Sequence, residues 1–240
     1  MRLIFLGTRG NIELKSRRHR RHSAILIQLG TRRVMVDCGA DWLARVITLA
    51  PDAIVLTHGH ADHAEGLRQG APCPVYAPAA TWDVIGGYPI QHRRTLAPRV
   101  PEEIEGLTFC ACPVQHSLRC PAVGYRIGVG QGVLFYVPDV AAISRPRELL
   151  AGSALFVGDG ATITRPLLRR RDGVLLGHAP IRTQLGWCRD AGVPRAVFTH
   201  CGSEIVGGDE RRLGARVRAL ARECGVIAQI AYDGLEIALP

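Results

Sequence analysis

An apolar run leads directly into a cluster of metal-binding side chains in the stretch Ala53-Ile54-Val55-Leu56-Thr57-His58-Gly59-His60-Ala61-Asp62-His63. The run 53–57 predicts a buried strand, because a short continuous apolar segment fits the interior of a sheet. The imidazole and carboxylate groups that follow it are ligands for zinc, manganese and iron. A strand that ends in such a loop would gather metal ligands at the edge of a sheet.

The number of ligands in this stretch predicts two metal ions. A catalytic zinc ion that keeps one position open needs only three protein ligands, whereas 58–63 supplies three histidines and an aspartate. Two ions about 3.5–4 Å apart would use all of them. The alternative is a solvated polar loop with chance histidines, but the spacing behind a buried strand favours metal binding.

Three further candidate ligands stand at the ends of other apolar runs. They are His116, Asp139 and His200. Each repeats the arrangement seen at His58, in which a polar residue follows a predicted strand. Together these positions complete a ligand set for a dinuclear site, although each one alone is weak evidence.

The apolar periodicity predicts a chain rich in strands, with a helical segment after each half. Strands are predicted at 2–6, 24–29, 33–37, 53–57, 74–77, 107–113, 122–128, 132–137, 154–158, 196–199, 226–231 and 235–239. Helices are predicted at 41–49, 64–69, 145–151, 181–191 and 210–224. This order indicates two sheets, each with helices outside it, rather than one parallel sheet.

The charge of the chain points to an anionic partner. The net charge is +9, and Lys15 is the only lysine among the 30 basic residues. Arginine clusters lie at 17–21 and 165–171. A basic surface favours phosphate esters or nucleic acid. The alternative, that arginine usage reflects only the composition of the genome, stays open.

The cysteines predict a reducing environment. None of the eight forms a Cys-x-x-Cys pair, so the spacing of a structural zinc site is missing. The opening residues 1–7 fit a first strand and a turn better than a signal peptide. No apolar run approaches the ~20 residues of a membrane span. We therefore expect reduced thiols and a cytoplasmic location with no membrane contact.

Taken together, these motifs resemble the metallo-β-lactamase superfamily. The resemblance runs through nearly the whole chain, on residues 5–8, 36–39, 58–63, 116, 139, 199–200 and 233–237. It implies a single domain, 1–240, folded as a four-layer αββα sandwich of the α/β class, with metals at one edge of the sheets. The ligands it implies are His58, His60 and His116 for one ion, Asp62, His63 and His200 for the other, and Asp139 as the bridge.

The resemblance also implies a residue beneath the metals. Asp37 would orient a ligand by a hydrogen bond, as carboxylates behind metal sites do. An ordinary turn aspartate is the alternative.

One segment is similar to a narrower group. Residues 177–181, Gly-His-Ala-Pro-Ile, are similar to the tail of ribonuclease Z and of the cyclic-phosphate phosphodiesterase of the carbon–phosphorus lyase pathway. In both, the matching histidine opens a helix and assists phosphodiester cleavage. His178 is thus expected to be catalytic, together with Asp62; a local hydrogen bond at a helix start is the alternative. The long tRNA-gripping arm of ribonuclease Z and the cysteine-rich zinc site of the other enzyme are both missing.

The expected function is that of a dinuclear metal-dependent hydrolase. It would be a phosphodiesterase that uses a metal-bridging hydroxide on a small cyclic or nucleotide-like phosphodiester or a nucleic acid end. Zinc is the expected metal, with manganese or iron as alternatives. Arg20 and Arg21 would bind the anionic substrate. Hydrolysis of a thioester, lactone or β-lactam, a non-catalytic carrier, a nucleic-acid binder using its arginines alone, and a homodimer all stay open.

Overall fold

The computed structural model describes residues 1–129 and 132–239. Its strands are β1 (Arg2–Gly7), β2 (Ala24–Leu29), β3 (Arg32–Val36), β4 (Ala53–Val55), β5 (Val75–Pro78), β6 (Arg93–Leu96), β7 (Pro101–Ile104), β8 (Leu107–Val114), β9 (Ala122–Val129), β10 (Gly132–Tyr136), β11 (Leu155–Asp159), β12 (Leu167–Arg171), β13 (Val174–His178), β14 (Arg195–Thr199), β15 (Ile227–Ile230) and β16 (Glu236–Ala238). Its helices are α1 (Arg45–Leu49), α2 (Ala61–Ala64), α3 (Ala79–Val84), α4 (Pro146–Leu150), α5 (Ile181–Ala191), α6 (Ser203–Val206) and α7 (Glu210–Glu223), with 3-10 turns at Ala40–Trp42 and Glu65–Leu67.

Two seven-stranded sheets pack face to face. One has the order β16-β1-β2-β3-β4-β5-β6 and the other β15-β14-β11-β10-β9-β8-β7. Between them lies an apolar core that includes Phe5 and Ile27 from the first sheet and Tyr125 and Leu134 from the second. Separate apolar clusters cover the outer faces, where the helices pack. The expected four-layer αββα sandwich is confirmed.

Every predicted strand is present, with ends that differ by at most two residues. The sequence pattern missed β6, β7, β12 and β13. The first three of these strands are largely exposed and rich in charged residues, so they lack the apolar alternation from which a strand is read. The short helices α3 and α6 were also missed. The predicted helix at 41–49 is divided into a 3-10 turn and the short α1, and the predicted helix at 64–69 is largely a 3-10 turn that follows α2.

The hairpin formed by β12 and β13 is a sheet of its own, paired from Leu167 opposite His178 to Arg171 opposite Val174. The prediction that Gly177-His178 opens a helix is wrong. His178 is the last residue of β13, and α5 begins at Ile181 after Pro180, whose ring suits the start of a helix. Gly177 has a φ of 103°, and a Cβ there would lie 2.0 Å from the Leu167 carbonyl oxygen, so only glycine fits.

No helix within residues 1–129 or 132–239 has both the length and the apolar character that a membrane crossing requires.

Candidate metal centre

The candidate ligands meet at one edge of the sandwich because the strands before them run in the same direction. Strands β10, β11 and β14 are parallel neighbours in the second sheet. Their carboxyl ends therefore bring Asp139 and His200 to one edge. In the first sheet β4 is parallel to β3 and β5 and ends just before His58. The short helix α2 then carries Asp62 and His63, both buried.

The first ligand cluster consists of His58, His60, His116 and Asp139, with ligand atoms that all lie within 4.8 Å of one another. His60 Nδ1 lies 2.9 Å from His58 Nε2 and 3.3 Å from His116 Nε2. Asp139 Oδ2 lies 3.4 Å from His58 Nε2 and 3.3 Å from His116 Nε2. Three imidazole nitrogens and one carboxylate oxygen thus face a common centre.

The second cluster consists of Asp62, His63, His200 and the same Asp139. Asp62 Oδ2 lies 3.0 Å from His200 Nε2 and 3.3 Å from His63 Nε2. Asp139 Oδ2 lies 3.3 Å from His63 Nε2. Asp139 Oδ2 is therefore close to nitrogens of both clusters, as an oxygen shared by two cations would be.

Several buried polar atoms of these clusters lack a hydrogen-bond partner among the described residues. They are Asp62 Oδ1, Asp139 Oδ1, His63 Nε2 and His200 Nδ1. His200 Nδ1 lies 2.9 Å from Asp139 Oδ1, but the two atoms do not have the geometry of a hydrogen bond. Each unpaired buried group costs about 1–3 kcal/mol. Lone pairs that converge without bonding to one another are the arrangement that a cation requires, so these residues fit divalent metal ions.

The charges of the two clusters differ. Burial and the neighbouring His116 ring lower the pKa of His60 to about 4, and burial lowers the pKa of His58 as well. These rings are neutral near pH 7, which is the form that binds metal. At His63 and His200 burial also lowers the pKa, but the surrounding carboxylates outweigh it and the net shift is upward.

Asp37 lies fully buried beneath the second cluster. Its Oδ2 is 2.9 Å from His63 Nδ1, and its Oδ1 accepts hydrogen bonds from the backbone N–H and the hydroxyl of Thr57. With a φ of 63°, it holds a backbone conformation that is uncommon outside glycine and that is often found at functional sites. A carboxylate in this position keeps the proton of His63 on Nδ1 and leaves Nε2 free to face the cluster.

We expect Asp37→Asn to weaken metal binding by about 10–100-fold. The amide would direct an N–H toward His63 Nδ1 and favour the tautomer that carries its proton on Nε2, the nitrogen that faces the metal position. Competition with a chromogenic zinc chelator measures the change in affinity. The matched control is Asp52→Asn, an exposed aspartate that also accepts a backbone N–H. An Asp37→Asn affinity equal to that of the control would contradict the orienting role.

Beside the clusters, His178 and Asp159 form a hydrogen-bonded pair, with His178 Nδ1 2.8 Å from Asp159 Oδ2. The other ring nitrogen, Nε2, has no partner in the described part of the chain, and the ring is stacked on His200 at a centroid distance of 5.4 Å. Burial lowers the pKa of His178, but the Asp159 carboxylate outweighs it, and the net shift is upward. The pair places an imidazole with a fixed tautomer next to the second metal position.

Asp159 belongs to a strand and not to a turn. Asp159 is the last residue of β11 and is completely buried. Its carboxylate also accepts the backbone N–H groups of Val140 and Ala161, so it is held in place from two loops. The signal that could have identified it is its position, because it ends an apolar strand in the same way as Asp139 follows one.

The arginines predicted to bind substrate lie elsewhere. Arg20 lines a cavity of about 910 Å³ together with Arg17, Arg18 and Arg218. The guanidinium of Arg21 lies 5.1 Å from the centre of the Trp42 ring. Neither Arg20 nor Arg21 lines the cavity of about 770 Å³ that contains His60, His116 and His178. Contact of these two arginines with substrate stays a prediction.

Comparisons with known proteins agree with this fold. The model of the beta-lactamase superfamily domain matches residues 32–201. The chain is 26% identical to ribonuclease Z of Methanopyrus kandleri, over 97% of this chain and 96% of that protein. It is similar to the crystal structure of the metallo-beta-lactamase fold protein YhfI from Bacillus subtilis, with a TM-score of 0.77, 16% identity and 98% of each chain covered. It is also similar to a diphosphatase of the PhnP family, with a TM-score of 0.73 and 20% identity, over 99% of this chain and 97% of the other.

Proposed function

Because this chain belongs to the beta-lactamase superfamily, we propose that it is a dinuclear metal-dependent phosphodiesterase. The observation that carries the proposal is Asp139, whose carboxylate lies in both ligand clusters, with the His178–Asp159 pair directly beside it. The sharing of one carboxylate supports two cations rather than one, and the adjacent imidazole supports a reaction in which a proton is transferred.

Two divalent cations bound to these residues would polarise the phosphoryl oxygens and make an attacking water more acidic. The first cation would be held by His58, His60, His116 and Asp139, and the second by Asp62, His63, His200 and Asp139. Zinc suits this set of nitrogen and oxygen donors, and manganese and iron accept the same donors.

Asp62 would serve as ligand and proton acceptor together. Its Oδ2 faces His200 and His63, whereas its Oδ1 is buried without a hydrogen-bond partner. A carboxylate oxygen in that position can take the proton of the attacking water.

His178 would act on the leaving oxygen or a phosphoryl oxygen, and not on the attacking water. Asp159 fixes its Nδ1, so that Nε2 is the nitrogen available to substrate in the cavity. From there it can donate a proton to the leaving oxygen or a hydrogen bond to a phosphoryl oxygen, which typically contributes about 10²–10⁴-fold to the rate.

The charge of the chain and the proteins it resembles support this substrate class. Two of the three similar proteins named above are a ribonuclease and a diphosphatase, and both kinds of enzyme cleave phosphorus–oxygen bonds. A cavity of about 770 Å³ beside the metal positions has room for a small cyclic or nucleotide-like phosphodiester or for the end of a nucleic acid. The net charge of +9 favours such anions.

The compartment is proposed from the thiols. The eight cysteines form no disulfide, which supports a reducing environment such as the cytoplasm.

Hydrolysis of bis(p-nitrophenyl) phosphate tests the proposal when metal content is measured on the same protein sample. We expect turnover with about two metals per chain, and loss of both turnover and metal in His60→Ala. The matched control is His92→Ala, since His92 is exposed and lies outside both clusters. Two bound metals without turnover would instead support thioester or lactone hydrolysis or a carrier role. A chain that binds no metal would refute the assignment of these residues as metal ligands.

A further inference from the structure

The cavity beside the metal positions has two unlike sides. On one side are the metal-centre histidines, and on the other are the β12–β13 hairpin and the loop 117–119. Neither strand of the hairpin pairs with a strand of the two large sheets, and every residue of β12 is exposed. Its second strand ends at His178, so the hairpin is joined directly to the residue expected to act on the leaving group. Its side chains are therefore placed to contact the part of the substrate beyond the scissile bond.

The hairpin side of the cavity is positively charged. Arg119, Arg169 and Arg171 line it, and no aspartate or glutamate does so in the described part of the chain. Arg119 and Arg169 have no ion pair or side-chain hydrogen bond with any described residue. Arg171 has one exposed neighbour of opposite charge, Asp172, at 3.6 Å. These guanidinium groups are thus available to an anion that enters the cavity.

Side chains alternate along a strand, so two of the three consecutive arginines, Arg169 and Arg171, point to the same face of β12. Residues two apart on a strand point to the same face and are about 7 Å apart. Leu167 is paired with His178, Arg169 with Leu176 and Arg171 with Val174, so the two arginines share a face with His178. Arg170 points the other way, does not line the cavity, and donates a hydrogen bond to the Gly173 carbonyl.

The spacing of this row suits a nucleotide. From His178 outward, Arg169 lies one step of about 7 Å along the hairpin and Arg171 lies two steps. One step is comparable to the separation of neighbouring phosphates along an extended nucleotide chain. The same cavity is also lined by Leu118, Leu167 and Leu168, which are all exposed. An exposed apolar surface of this kind is suited to contact a planar ring.

We propose that Arg169 and Arg171 form a second anion-binding subsite, specific for nucleotides that carry a further phosphate next to the scissile phosphodiester. As a statement about the enzyme's preference among substrates, the proposal rests on the phosphodiesterase function. The subsite itself can be tested by binding alone.

Two pairs of compounds that differ by one phosphate provide the test. For turnover, thymidylyl-(3′→5′)-thymidine 3′-phosphate is compared with thymidylyl-(3′→5′)-thymidine, so that the extra phosphate lies on the nucleoside whose 5′-oxygen is the leaving group, and release of that nucleoside is measured by chromatography. For binding, thymidine 3′,5′-bisphosphate is compared with thymidine 5′-monophosphate by calorimetry on the metal-loaded protein. We expect the wild type to prefer the compound with the extra phosphate by about tenfold in both measurements, as one charge-assisted contact supplies.

Alanine variants of the three arginines test whether the hairpin causes this preference. Arg169→Ala, and to a smaller extent Arg171→Ala, should remove it, with the loss in KM and not in kcat. Arg170→Ala, on the opposite face of the same strand, should retain it. Arg170→Ala should hydrolyse bis(p-nitrophenyl) phosphate at the wild-type rate because Arg170 does not line the cavity, and in Arg169→Ala and Arg171→Ala the loss on that ester should be smaller than the loss on the compound with the extra phosphate.

Equal preference in Arg169→Ala and wild type, or an equal loss in Arg170→Ala, would overturn the subsite. Absence of all turnover together with an intact, Arg169-dependent preference in binding would refute the phosphodiesterase function and leave the subsite standing.

Discussion

Replacement of Asp139 by asparagine is expected to remove metal from both positions and to abolish hydrolysis. Asp139 Oδ2 lies 3.3 Å from nitrogens of His63 and His116, which belong to different clusters. The substitution removes the negative charge of the carboxylate that both cations would share. The contribution of metal ions to catalysis is several kcal/mol, so we expect a loss of at least about 10³-fold in kcat/KM. Metal content after dialysis and hydrolysis of bis(p-nitrophenyl) phosphate measure the two effects.

The matched control for this variant is Asp83→Asn, an exposed aspartate that belongs to neither cluster. It should retain both metals and full activity. Asp139→Asn is nearly isosteric, so the far-ultraviolet circular dichroism spectrum should not change. Retention of one metal per chain in Asp139→Asn would contradict the bridging position and indicate a ligand to a single ion.

Replacement of His178 by alanine is expected to slow turnover by about 10²–10⁴-fold while both metals stay bound. His178 lines the cavity and its Nδ1 is held by Asp159, but it is not needed to complete either ligand cluster of the dinuclear site. If Nε2 protonates the leaving oxygen, the loss must depend on the leaving group. It should be smaller for p-nitrophenolate, which leaves readily, and larger for an alkoxide such as a nucleoside 5′-oxygen.

The comparison between leaving groups separates proton donation from positioning. An equal loss for aryl and nucleoside esters would show that His178 stabilises charge on the phosphoryl group instead of protonating the leaving oxygen. Loss of metal in His178→Ala would contradict the assignment altogether. In that case the third group of possible ligands, Asp139, Asp159, His178 and His200, would be part of the metal site.

Much of the site was predictable because its information is local. Each candidate ligand follows an apolar run, and an apolar run of five or so residues predicts a buried strand whether or not its partners are known. The family resemblance built on these motifs is confirmed by the match to the superfamily model over 32–201. The order of strands and helices was also sufficient to predict two sheets with helices outside.

The sequence did not reveal pairings between segments that carry no apolar pattern. Asp159 and His178 are 19 positions apart, and each alone has an ordinary local explanation, as a turn residue or as a histidine at the start of a helix. Their contact depends on β11 and β13 ending at the same edge. The exposed arginines of β12 likewise gave no strand signal, because nothing on that strand is buried.

By itself, then, the sequence determined the fold class and the seven candidate metal ligands, since burial of apolar strands and the donor chemistry of His and Asp are properties of short segments. Only the tertiary structure decided which ligand atoms lie around the Asp139 carboxylate and which carboxylate is hydrogen-bonded to His178. It also decided which arginines of the hairpin line the cavity. The physical reason is that these facts are distances and directions between strand ends, and they exist only after two sheets have packed and their pleats have fixed the face to which each side chain points.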